Sequence, residues 1–271
     1  MAKPRILFFS QEIAPYLPSS ENSKLGKEIP TAMQARKYEV RTFMPNFGAV
    51  NERRNQLHEV IRLSGVNIVI NDDDHPLIIK VASMQPSRIQ VYFIDNDDYF
   101  QKDDDDVDDA GSNRADNDER AIFYARGAVE TAEKLKWEPD MINVSGWISA
   151  LIPLYIKQVY NVGPDFKKAK VVYNILRQPE IAPIDPGIFD RLAENGVKEE
   201  DIEVLKQLPF DNNILHRIAI QYADAVVFNT TEPDSELLKA VEDRGIPHIE
   251  LDPEANNADN YYNFYQSLKE E

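Results

Sequence analysis

Cysteine is missing altogether from the 271 residues, which removes disulfides, zinc–thiolate centres and cysteine nucleophiles together. That absence is compatible with a reducing compartment. Glycine is scarce, 10 residues against 17 prolines, so the chain is neither collagenous nor a low-complexity linker. Long apolar runs are missing too. The opening "MAKPRILFFS" holds only Ile6 to Phe9 as an apolar core, short of the roughly 7–15 residues of a signal peptide. No segment approaches the ~20 apolar residues of a membrane span, and the expected location is the cytoplasm. Positive charge is in deficit: 30 Lys and Arg face 47 Asp and Glu, a net charge of −17. Such a field keeps a protein soluble and repels phosphate backbones and anionic lipid, so neither nucleic acid nor membrane is expected as a partner. His58, His75, His216 and His248 fall into no H-x-x-H or H-E-x-x-H spacing, so no metal and no cofactor are expected. There is no G-x-S-x-G elbow, and Leu25-Gly26-Lys27 lacks the glycine-rich lead of a phosphate loop.

What the chain does contain is an alternation. Ile6-Leu7-Phe8-Phe9 is the short continuous run of a strand buried on both faces of a parallel sheet, and Val40 to Met44, stopped by Pro45, gives a second strand. Runs at 140–144, 170–175, 225–228 and 248–251 repeat that pattern. Between them lie helical stretches: 22–37 behind the candidate caps Ser19 and Ser20, 117–135 with its Ile122, Ala125, Val129, Ala132 and Leu135 stripe, 147–160, 199–222 and 234–243. Residues 58–70 and 76–95 instead alternate apolar and polar around turn signals, the mark of antiparallel hairpins. The expectation is one α/β domain over 1–271: a Rossmann-like three-layer fold, mostly parallel, with a β-hairpin excursion.

Two segments stand apart. The run "KDDDDVDDAGSNRADND" at 102–118 places Ala110 and Asn117 where a calcium loop starting at Asp106 needs its fifth and twelfth ligands. It reads as a solvated, mobile acidic loop centred on 103–109. The ending, a helix near 256–269, carries Tyr261, Tyr262, Phe264 and Tyr265. Aromatics so spaced pack a core or, turned outward, make an interface or a glucan platform. Asp95, Asp97 and Asp98, preceding Tyr99-Phe100, either cap a loop or contact sugar hydroxyls.

Several stretches then become specific. Glu12-Ile13-Ala14-Pro15 closes the first strand; "RTFMPNFG" follows at 41–48, "VYFIDNDDYF" at 91–100, "DNDERAIFYARGAVE" at 116–130 and "WEPDMINVSGW" at 137–147. In this order they resemble the N-terminal catalytic domain of the bacterial glycogen and starch synthases. The likeness is close over about residues 5–175 and looser over 205–231. It implies the N-terminal half of a GT-B glycosyltransferase, in which two Rossmann-like domains face each other across a cleft. Such enzymes pass glucose from ADP-glucose to an α-1,4-glucan with retention and without a metal. The likeness also implies a K-x-G-G-L loop after the first strand and an H-D-W corner after a later one, where cationic and amide groups meet the departing phosphate.

At those places the residues differ. Counted without gaps, Pro18 stands at the position of the lysine, Ser20 and Glu21 at those of the glycines, and Lys24 at that of the following acid. Proline brings neither charge nor N–H. The H-D-W corner reads Ser145-Gly146-Trp147, so the tryptophan alone is kept, as core packing sooner than as a sugar platform. The resemblance further implies a second domain beginning near 271. The resulting expectation is a stand-alone, catalytically degenerate domain with a binding or accessory role in α-glucan metabolism. The alternative is half of a split transferase with a partner chain supplying the C-terminal domain. α-Glucan or a sugar nucleotide is the implied ligand. Candidate contacts are Lys24, Lys27, Asp95, Tyr99 and Trp147, with no catalytic residue left.

Overall fold

In a computed structural model that describes residues 3–161 and 163–269, the apolar runs become strands. They are β1 (Arg5–Ser10), β2 (Glu39–Pro45), β3 (His58–Glu59), β4 (Val66–Ile70), β5 (Asp73–Met84), β6 (Ile89–Asp95), β7 (Met141–Ser145), β8 (Lys170–Leu176), β9 (Ala225–Asn229) and β10 (His248–Glu250). One sheet orders them β10-β9-β8-β7-β1-β2-β6-β5-β3, with β4 paired to β5. Every pair from β10 to β6 is parallel. The excursion expected from 58–95 is antiparallel: β5 pairs with β3, β4 and β6.

Connection order fixes where a ligand would sit. From β1 the chain steps outward to β2 and β6, then returns along helix Asn117–Lys134 to enter β7 on the other side of β1. The strand order therefore reverses between β1 and β7, and the carboxyl ends of those strands form the crevice of a doubly wound sheet. Right-handed crossovers from β7 through β10 all lie on one face. There Ile142, Val144, Tyr173 and Phe228 pack against Leu151, Ile218 and Val241.

The opposite face of β7, β8 and β9 receives none of these later crossovers and is closed by the β1–β2 crossover helix and the last helix. Ile29 and Met33 of helix Glu21–Ala35 and Tyr261, Phe264 and Tyr265 of helix Ala258–Ser267 cover Phe8, Met141, Val172 and Val227. A buried polar row fastens the second helix. The Tyr261 hydroxyl contacts Asn174 Oδ1 (2.7 Å) and Asn229 Oδ1 (2.9 Å), and the Tyr265 hydroxyl donates to Asn143 Oδ1 at 2.6 Å. The aromatic tail is therefore core. Only Tyr262 is half-exposed, and the Arg36 guanidinium lies over its ring at 5.2 Å, so no outward aromatic platform forms.

Three expectations change. The helix expected over 147–160 breaks into a 3₁₀ turn (Trp147–Ser149), an α turn (Ile152–Leu154) and a π turn (Tyr155–Val159). Pro153 supplies no N–H there, and the Ser149 hydroxyl bonds back to the carbonyls of Ser145 (2.6 Å) and Gly146 (3.0 Å). The region 199–222 becomes helices Glu199–Leu205 and Ile214–Tyr222, parted at Pro209. The acidic run is not wholly solvated: Ala110, Gly111 and Ser112 are buried. Arg120 donates to the carbonyls of Tyr99 (2.8 Å), Ala110 (2.7 Å) and Gly111 (2.9 Å). Arg114 pairs with Asp116 at 2.9 Å and Lys102 with Asp109 at 2.8 Å. Cations interspersed in and beside the run offset the repulsion that a block of aspartates alone would carry.

Candidate functional site at the strand-order reversal

The crevice is built from the ends of β1 and β7. Gln11 N–H donates to the Ser145 carbonyl at 3.1 Å, and Gly146 N–H to the Asn174 carbonyl at 3.1 Å. Gly146 has φ 89° and ψ 168°, a conformation essentially reserved for glycine. A β-carbon there would stand 2.4 Å from Gln11 Oε1, so the corner has room for no side chain. Ser145 is buried, and its hydroxyl accepts from Asn143 Nδ2 at 3.0 Å, inside the same asparagine row that holds the last helix. The cavity between Ser10, Gln11, Glu12, Asn22, Asn143 and Ser145 measures about 10 Å³, space for about one water. A nucleotide or sugar needs roughly 300–1,000 Å³.

The helix start that faces the crevice is closed on itself. Ser20 Oγ accepts from Ser23 N–H and Ser23 Oγ from Ser20 N–H, each at 2.9 Å, a capping box that occupies amides an anion would use. The Ser20 hydroxyl also donates to Glu12 Oε2 at 2.7 Å. Burial raises the Glu12 carboxyl above its ordinary pKa. The Ser20 and Gln11 bonds pull it back, and the charges of Asp108 and Asp109 push it further up. Pro18 is exposed, and its carbonyl accepts from Ser23 Oγ at 2.9 Å. Gly26 is helical: its Cα lies so close to the Glu12 carbonyl that a β-carbon would come within 2.1 Å. The Leu25-Gly26-Lys27 run therefore packs a helix against a strand end and cradles no phosphate.

The other candidates are dispersed. Trp147 is fully buried, with the Arg120 guanidinium 5.6 Å from its ring and Nε1 unbonded. Asp95 is buried against Lys80 Nζ at 2.6 Å, and its carboxyl is raised by desolvation against the lowering by that lysine. The Tyr99 hydroxyl donates to Glu119 Oε2 (3.0 Å) and meets His75 Nε2 at 3.1 Å; burial, then the Glu119 charge, drives its pKa well above the ordinary phenol. Lys24 and Lys27 come together, but along a groove of about 880 Å³ between helix Glu21–Ala35 and segment 253–258.

Sequence reasoning missed Lys80 and Glu119, and weighed His75 and His216 only as metal ligands. His216 is buried on helix Ile214–Tyr222, with Nδ1 at 2.7 Å from the Tyr173 hydroxyl, which itself lies 3.4 Å from the Gly146 carbonyl. Burial lowers its pKa to about 4, so at neutral pH it is an uncharged imidazole below the corner. Its one sequence signal is a histidine beside Arg217 within a mostly apolar run, "NILHRIAI". Among the described residues no group of three His, Asp or Glu is placed to hold a metal, and no helix is long and apolar enough to cross a membrane.

A family profile described as "Starch synthase catalytic domain" matches residues 5–242. The chain belongs to the starch synthase catalytic-domain family. Within it, the glycogen synthase of Chlorobaculum parvum is 31% identical over 240 residues, covering 84% of this chain and 46% of that protein. The glycogen synthase of Chlorobium luteolum is 34% identical over 194 residues, 71% of this chain and 40% of its own length. The chain thus spans about half the length of the curated relatives it matches. The catalytic domain of starch synthase IV from Arabidopsis thaliana, bound to ADP and acarbose, superposes with a TM-score of 0.69 at 15% identity. That match covers 92% of this chain and 51% of the Arabidopsis one. At that identity the likeness concerns the fold: a Rossmann-like, mostly parallel sheet of the GT-B starch synthase kind.

Proposed function

We propose that this starch-synthase-like domain transfers no glucose by itself and serves α-glucan metabolism as a binding or accessory unit in the cytoplasm. One observation carries the reading. The Ser20 and Ser23 amides at the start of helix Glu21–Ala35 are taken up by their capping box, with the Glu12 carboxyl bonded to Ser20 and a cavity of only about 10 Å³ beside them. A diphosphate entering there would have to break that box and approach the field of Asp108 and Asp109.

The test is incorporation of ADP-[¹⁴C]glucose into glycogen by the purified chain. No incorporation above the blank is expected; incorporation abolished by changes in the 18–24 loop overturns the reading. Calorimetric titration in phosphate buffer with ADP-glucose, ADP and maltooligosaccharides separates the ligands, with heat expected from the saccharides alone.

A second reading rests on Lys24 and Lys27, which share one groove, and on the half-length match to the relatives. In it the chain is half of a split glycosyltransferase and a partner polypeptide supplies the C-terminal domain. Co-purification with a sugar-nucleotide-binding chain, and incorporation only in its presence, would favour that reading over the first.

A further inference from the structure

The amino-terminal edge of the sheet carries a charge opposite to the rest of the chain. A groove of about 450 Å³ opens there between the turn leading into β2 and the β5–β6 turn, lined by Lys3, Lys37, Arg41 and Arg88 with Glu39 and Trp137. Four cations in one groove are unexpected where carboxylates outnumber cations 47 to 30. The single carboxylate, Glu39, is engaged by Arg5 at 3.2 Å. The Arg41 guanidinium lies over the Trp137 ring at 4.8 Å, with Arg5 on the same ring at 5.7 Å. Arg41 Nη1 is sheltered from solvent and bonded to nothing. Lys37 and Arg88 hold left-handed backbone, φ 72° and φ 60°, which non-glycine residues adopt uncommonly.

A guanidinium held over an aromatic ring and flanked by two further cations on one groove is organised for a planar or tetrahedral oxyanion. A ligand of opposite sign would gain from all of these cations at once. We propose that this groove binds a phosphorylated small molecule, its phosphate dianion held by Arg41, Lys37 and Arg88. The volume suits a ligand of sugar-phosphate size. The length of β1 separates the groove from the crevice between β1 and β7 by about 20 Å, so the two places do not share one ligand.

The experiment is calorimetric titration of the full chain at low ionic strength with inorganic phosphate, glucose 6-phosphate and glucose. Phosphate and glucose 6-phosphate are expected to bind and glucose alone not to bind at this edge. Equal affinity for the first two assigns the site to free phosphate; tighter glucose 6-phosphate binding assigns it to a phosphorylated sugar. The Lys37→Gln/Arg88→Gln variant, altered only at exposed positions, is expected to weaken binding about 10-fold or more. The Lys24→Gln/Lys27→Gln variant is expected to leave it unchanged. Absence of phosphate binding, or equal binding by the Lys37/Arg88 variant, overturns the proposal.

Discussion

Gly146 and His216 show how single residues set the chemistry of the corner. With φ 89° and Gln11 against its α-carbon, Gly146→Ala is expected to cost about 2–3 kcal/mol in urea unfolding. Gln11→Ala in the same chain should return only part of that, since it removes the contact and leaves the dihedral strain. His216 titrates near 4 in the folded protein because burial disfavours its charge, against about 6.5 in an unfolded chain. The depressed value means the neutral ring stabilises the fold fully above pH 6.5, and that contribution, about 3 kcal/mol, is lost as pH falls from 6.5 to 4. His216→Leu should flatten stability over that window, as read by thermal melts at successive pH values. Glu12 has the opposite sign: its raised carboxyl makes the fold less stable as pH climbs through the elevated value, so Glu12→Gln is expected to raise the melting temperature at pH 7–8.

At the scale of elements, the acidic segment and the hairpins show what pattern alone conveys. Arg120 is 1% exposed and holds three carbonyls and Asn117 Oδ1, none of them a carboxylate; desolvation lowers its pKa to about 10. Arg120→Met leaves those acceptors unpaired, and about 3 kcal/mol of stability is expected to be lost. Amides 103–116 should then exchange much faster by hydrogen–deuterium mass spectrometry, while those of β7 and β8 keep their protection. The strands were legible because burial on both faces demands uninterrupted apolar runs such as Ile6–Phe9 and Val171–Val172. The hairpins were legible because one wet face demands alternation. The breaking of 147–160 was not, because a periodic apolar stretch reads as helix whichever carbonyls Pro153 and Ser149 disturb. The clusters around Asp95 and Tyr99 were half legible: the acids stand together in the chain, whereas Lys80, His75 and Glu119 reach them from other elements.

Across the whole molecule, a net charge of −17 means the folded state works against its own field. Raising ionic strength from about 10 mM to about 150 mM shortens the screening length from about 30 Å to about 8 Å and is expected to raise the melting temperature; no shift, or a fall, would mean that local pairs outweigh the global field. The three layers also explain why the site candidates scattered. The layers put Lys24 and Lys27 on one face, Trp147 and His216 on the other, and Asp95 and Tyr99 on the hairpin flank. The closing of the second face by helix Ala258–Ser267 has a temporal consequence. During synthesis β7, β8 and β9 leave the ribosome with Met141, Val172 and Val227 covered on that side only by what Ile29 and Met33 reach, and the cover stays incomplete until Tyr261 and Tyr265 emerge. Throughout that interval the nascent sheet is a sticky, half-dressed surface, an object for a chaperone.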